Sequence, residues 1–384
     1  MKTLNPAAAV LVSLPTTLVA QDLTDAQVTD MARDSFAPVI AEFDIPGLVV
    51  GITFRGQQHF YATGLAAREG EVAASPETIF ELGSISKIFT ASLAALAEQQ
   101  GVIDLESPVS GSLPDLKGSA FDDIKLANLA THVTGGLPLQ VPDAVQNVPA
   151  LVDWLAEWQP PQPGTRSYSN VSIGLLGYIT AEALGMPYAQ AAEDILFPAM
   201  GLTSTFVNVP DNEMDRYAYG YDRNTDAPIR VNPGVLADEA YGVKSTARDM
   251  VRLLDLELGH GDAVPALMAA LERTREGRAE TAYYTQDMVW EQYPWPADVT
   301  AMEAGNGYDF ILSPQHATAI TPPLPPQQNV ILNKTGATNG FGGYVTLLPG
   351  EDLGIVVLAN RNYPNETRVR ATYDLIEDLL AAQE

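Results

Sequence analysis

Asn329–Asn360 reads NVILNKTGATNGFGGYVTLLPGEDLGIVVLAN: three β-rich runs with Asn339-Gly340 and Pro349-Gly350 between them. β-Branched and aromatic residues favour strands, and Asn-Gly and Pro-Gly favour reversal of the chain. Near the other end, LVVGITFRGQQHFYATGLA (residues 48–66) reads as a hairpin turning at Arg55-Gly56-Gln57. A helical stretch, LTDAQVTDMARDSFAPVIAEFDIPG, precedes that hairpin and stops at Pro46-Gly47; another, ETRVRATYDLIEDLLAAQ, closes the chain. Between them, residues 84–200 are rich in Ala and Leu at helical spacing, cut by Pro-Gly loops such as QPPQPGTRS. Strands at both ends around a helical middle predict an α/β fold, in which both termini supply one antiparallel sheet flanked by helices. The expected division is an α/β lobe of residues 21–82 and about 205–384, with a mainly helical lobe, 83–204, inserted.

The chain has 384 residues, no cysteine and a formal net charge of -27. The missing thiols exclude disulfides, thiol catalysis and thiolate metal sites. So acidic a chain has no basic face for nucleic acid. His59, His132, His260 and His316 are scattered without metal-ligand spacing, and no GxSxG elbow accompanies them, so neither a metal site nor a Ser-His-Asp relay is expected. Residues 1–20 carry one lysine, an apolar run and a small residue before Gln21, the pattern of an export signal. No other segment is apolar for long enough to span a bilayer. A periplasmic, soluble monomer is the expectation.

Chemistry enters at ELGSISKIF, Glu81 to Phe89, which spends one of only six lysines three residues after a serine. Apolar residues at 85, 88, 89, 93 and 96, with Gly101 as a stop, predict an amphipathic helix from Ser84 to Gln100. Ser84 and Lys87 then share one face. A charged ammonium cannot accept a proton from Ser84. A desolvated lysine beside other cations can, because its pKa falls. The second element is Tyr168 in Ser167-Tyr168-Ser169-Asn170, after the Pro-rich linker; a phenol beside two lysines can join the proton shuttle. The third is Lys334-Thr335-Gly336 on a strand entering a Gly-rich turn, suited to a carboxylate and to close backbone approach. Each string alone is common. Ser-x-x-Lys, Tyr-x-Asn and Lys-Thr-Gly in that order are specific.

With these motifs, and with stretches such as FELGSISKIFTASL, LATHVTGGLPLQVPD, RSYSNVSIGLLG and NKTGATNGFGGYVTLLPGEDLGIVVLANRNYPNETRVRA, the chain resembles a class C (AmpC-type) serine β-lactamase over nearly its whole length. The resemblance implies the serine β-lactamase/transpeptidase-like fold and a β-lactam substrate, with no cofactor and no metal. It implies Ser84 as nucleophile, with Lys87 and Tyr168 as the coupled proton-transfer pair; which of the two is the free base stays open. It implies an oxyanion hole from the N–H groups of Ser84 and Ala337, after Gly336. Lys334 and Thr335 would meet the substrate carboxylate, and Gln140, Asn170 and Tyr241 the acylamido side chain. Asn365 and Arg368 would form a second carboxylate-recognition group, although their place also suits a cap of the closing helix.

The chain departs from the family pattern at Asn333, where many relatives have His, at Gly343, where Ala is usual, and across residues 272–310, which match loosely. An anionic substrate must also approach a strongly acidic protein, so Lys87, Lys334 and Arg368 are expected to converge into a local positive funnel. Rival readings on the same scaffold are a family VIII-type carboxylesterase and a D-Ala-D-Ala peptidase. A penicillin-binding sensor that stays acylated is the rival from another class.

Overall fold

The computed structural model describes residues 23–383. The leader expected at residues 1–20 lies outside them. The architecture is built on a ten-stranded sheet. From edge to edge its strands are Thr318–Leu324, Gly277–Glu280, Thr285–Gln286, Glu291–Pro294, Val330–Ala337, Gly342–Leu348, Leu353–Ala359, Gly47–Phe54, Gln57–Ala67 and Val72–Ala73. Neighbours pair antiparallel throughout. The first hairpin turns as its sequence predicts, with Arg55 and Gly56 at positive φ, and Gly47–Phe54 joins the two chain ends by pairing with Leu353–Ala359.

The central strands are buried at almost every position because both faces of the sheet are covered. Leu48, Val50 and Ile52 face one core with Phe36 of the helix Asp25–Phe43 and Leu375 of the closing helix Asn365–Ala381. Val49, Val356 and Leu358 face the other, with Val251 and Leu254 of the helix Ala247–Glu257. Each such side chain contributes about 1.5–3 kcal/mol by leaving water.

Four strands between residues 277 and 324 were not foreseen. They lie largely in the segment of loose family resemblance, and three of them hold only two or four residues. The outermost, Thr318–Leu324, is mostly exposed and contains Pro322 and Pro323, which only an edge strand accommodates.

The expected helix from Ser84 starts later. Gly83–Ile85 is a 3-10 turn and the α-helix runs Ser86–Gln99, since Gly83 sits at φ 52, outside helical space. Nor is one face of this helix wet. Ser86 through Ala97 are all buried, because Ala, Ser and Thr on the side away from the apolar stripe let the helices Asn170–Leu184 and Pro265–Thr274 pack close. Among the described residues no helix is long and apolar enough to cross a membrane.

Candidate active site

The nucleophile turn is clamped from two sides. Leu82 N–H donates to Val243 O at 3.0 Å, and Val243 N–H to Ser86 Oγ at 3.0 Å. On the other side the turn lies against the strand Val330–Ala337 so tightly that no side chain fits between them. A β-carbon on Gly83 would stand 2.5 Å from Ala337 O, and one on Gly336 2.2 Å from Leu82 O. This approach brings the backbone of Ser84 and Ala337 together, from segments about 250 residues apart.

Lys87, one turn into the helix, is fully buried and donates from Nζ to Ser84 Oγ at 3.0 Å and to Ala240 O at 2.8 Å. Burial, the largest influence, pushes its pKa down to about 8; Lys334 acts in the same direction, and Tyr168 opposes it. Tyr168 is delivered by an extended link. Ser167 N–H donates to His132 O at 2.9 Å, and Ser169 caps the helix Asn170–Leu184 through Ser172 N–H at 3.0 Å. The Nζ atoms of Lys87 and Lys334 each stand 5.1 Å from its ring centroid. Burial favours the neutral phenol. The charges of Lys334 and Lys87, with hydrogen bonding to Ser84 and Lys87, outweigh it and hold Tyr168 down at about 8. Lys87 and Tyr168 thus reach the Ser84 hydroxyl, and Lys334, from the third motif, reaches the Tyr168 ring.

Two buried groups that sequence reading did not single out hold this cluster. Glu291 lies between Lys334 Nζ, 3.4 Å away, and Arg166 Nη2, 3.6 Å away, with both carboxylate and guanidinium fully buried. Its only sequence signal was a carboxylate in an otherwise apolar run, MVWEQY. Glu81 accepts from Tyr217 Oη and Val231 N–H at 2.7 Å each, and from Thr338 Oγ1 at 2.6 Å. It ties the segment before the nucleophile to two walls of the cavity. His132, a buried residue at φ 60, packs against Tyr168 with the rings tilted by 57° and their centroids 4.8 Å apart. Burial, with Arg166, Lys87 and Lys334 nearby, pushes its pKa well below the usual range, so it is neutral.

A cavity of about 530 Å³ opens onto Ser84. Gln140, Tyr168, Asn170, Tyr241, Thr335, Gly336, Ala337 and Asn365 all line it. Lys87 and Lys334, at 0 % and 1 % exposed, stand behind that lining. Arg368 does not reach it. Its guanidinium is fully buried and donates to the carbonyls of Gly336 (2.8 Å), Gly343 (3.3 Å) and Tyr363 and to Asn362 Oδ1 (2.6 Å). It braces the strand carrying Gly336, and both of its Nη groups are taken by these protein oxygens. The lining cation is instead Arg230. Asn365, the first residue of the closing helix, donates to Asn306 O at 3.0 Å.

A β-lactamase family model matches residues 32–379. A β-lactamase of Providencia stuartii is 39% identical over 366 residues, covering 95% of this chain and 94% of that protein. The crystal structure of a β-lactamase from Sulfitobacter sp. EE-36 shares 76% identity at a TM-score of 0.93, covering 94% of this chain and 99% of that one. A class C β-lactamase from Rhodobacter sphaeroides shares 61% at 0.90, covering 91% and 99%. Family, fold and the meeting of Ser84, Lys87, Tyr168 and Lys334 agree: this chain belongs to the β-lactamase family, among its class C, AmpC-type serine enzymes.

Proposed function

We propose that this enzyme hydrolyses the β-lactam amide, with cephalosporinase-type preference and after export to the periplasm, through an ester on Ser84. The observation that carries the mechanism is the Lys87 ammonium 3.0 Å from Ser84 Oγ, desolvated and facing a second cation. Ser84 Oγ attacks the lactam carbonyl as its proton passes to the Lys87–Tyr168 pair. The oxyanion takes hydrogen bonds from the N–H groups of Ser84 and Ala337, each worth about 3 kcal/mol in the transition state. Collapse breaks the C–N bond, and the pair returns the proton to the leaving nitrogen. A water then repeats the sequence on the ester, which frees Ser84.

Gln140, Asn170 and Tyr241 hold the acylamido side chain. Thr335, with Lys334 behind it, meets the ring carboxylate, and Asn365 offers its amide at the far side. Mass spectrometry during nitrocefin turnover is expected to trap an adduct on the Ser84 peptide, with multiple turnovers and only slow hydrolysis of p-nitrophenyl butyrate. Ester turnover alone would make the protein a carboxylesterase. A stoichiometric adduct without turnover would make it a sensor.

The pH dependence has a definite sign. The pair must lose a proton before acylation, so kcat/KM rises with pH with an apparent midpoint near 8, belonging to both groups together. Lys334 disfavours protonated Lys87 and favours ionised Tyr168, so its charge lowers both midpoints. In Lys334→Ala the rising limb should therefore move to higher pH, whatever activity remains. A limb that stays in place or moves down would contradict this coupling.

A further inference from the structure

We infer that Arg230 is an anion-recognition residue of the catalytic cavity, selecting β-lactams whose acyl side chain carries a second negative charge. This rests on the hydrolase reading of the site. Arg230 follows the strand Pro228–Ile229 and lines the cavity with Ile229, Val231 and Asn232. Its guanidinium lies over two aromatic rings, with Cζ 3.9 Å from the Tyr217 centroid and 4.2 Å from that of Tyr219. Nε donates to Ala218 O at 3.2 Å and Nη2 to Tyr217 O. Nη1 has no protein acceptor among the described residues, and no carboxylate lies within 4.0 Å of the group.

Among the described arginines, Arg68, Arg216, Arg248, Arg273, Arg278 and Arg370 are neutralised by carboxylates, and of Arg55, Arg223, Arg252 and Arg368, which have no carboxylate partner, none lines the cavity. Arg230 is held instead by two π faces and two carbonyls, which fix its direction without cancelling its charge. Its support is rigid: Tyr217 donates to the buried Glu81, which also accepts Val231 N–H.

Position names the part of the substrate it meets. The segment after Arg230 runs beside Tyr241, whose hydroxyl lies 3.4 Å from where a β-carbon on Gly234 would stand. Arg230 therefore belongs to the wall that takes the acylamido side chain. The buried cations Lys87 and Lys334 are committed to the reacting end. A guanidinium on this wall suits a carboxylate or sulfonate on the side chain.

Benzylpenicillin and carbenicillin differ only by a carboxylate on the acyl side chain, which makes them the matched probe. Arg230→Gln is expected to lower kcat/KM for carbenicillin about 10- to 100-fold, mainly through KM, with benzylpenicillin little changed. The carbenicillin preference should also weaken with added salt in the wild type and not in the variant. An equal loss for both penicillins makes Arg230 a brace of the wall and overturns the inference, as does no loss for either. A wild-type protein that turns over neither penicillin nor nitrocefin sinks the hydrolase reading itself, a result separable from both.

Discussion

Ser84→Ala is expected to lower kcat/KM for a good β-lactam by about 10⁴-fold or more, while the protein stays folded and still binds substrate. The reason lies in how little else the side chain does. Ser84 Oγ receives Lys87 Nζ, and Lys87 keeps Ala240 O when that bond is lost. The clamp on the turn uses Leu82, Ser86 and Val243, not the nucleophile's hydroxyl. Lys87→Ala should fall nearly as far, and Tyr168→Phe by about 10²- to 10⁴-fold. The Ser84→Ala/Lys87→Ala double variant should be no worse than Ser84→Ala, because the two groups serve a single step. Steady-state kinetics of the four proteins, with substrate binding by equilibrium dialysis, tests this. Multiplying losses, or near-normal hydrolysis without Ser84, would mean that the two residues act independently or that the chemistry is elsewhere.

Gly336→Ala is the second large effect, and it touches no reacting side chain. Its methyl would be driven to 2.2 Å from Leu82 O and 2.8 Å from Ile85 N, both backbone atoms of the nucleophile turn. Backbone held by the sheet on one side and by Val243 on the other has little room to yield. The turn and the strand must separate. The Ala337 N–H then withdraws from the oxyanion, a loss of about 10²- to 10³-fold in kcat, and overpacking costs about 1–3 kcal/mol of stability. The expected signature is a collapsed kcat with a modest fall in Tm. A variant of normal kcat and lowered Tm would show that the close approach serves packing alone. Gly83→Ala meets the same wall at 2.5 Å and adds strain at φ 52, so it should be at least as damaging to stability.

Some of this was open to a reader of the sequence. The hairpin of residues 47–67, the three strands after Val330 and the closing helix are local patterns. Alternation, turn residues and helical spacing each act over about ten residues. The candidate reacting groups were legible because their motifs are short strings with fixed internal geometry. What escaped notice was whatever depended on a partner far along the chain. Arg368 looked like a free cation near the pocket and is consumed by carbonyls of Gly336 and Gly343, which only the packing of the closing helix on the sheet brings to it. Glu291 looked like an ordinary acid in a poorly matching segment and is buried between Arg166 and Lys334, 125 and 43 positions away.

The order of the chain alone therefore marked out the strands and helices at the two chain ends and the candidate proton-transfer groups, because those follow from propensity and from side-chain chemistry. The tertiary structure decided where charge is available. Lys87, Lys334 and Arg368 are taken out of water by packing, whereas Arg230, unremarkable as letters in APIRVN, is left unpaired on the cavity wall by two tyrosines. Burial and pairing are properties of the assembled core, summed over contacts that no local stretch of residues contains.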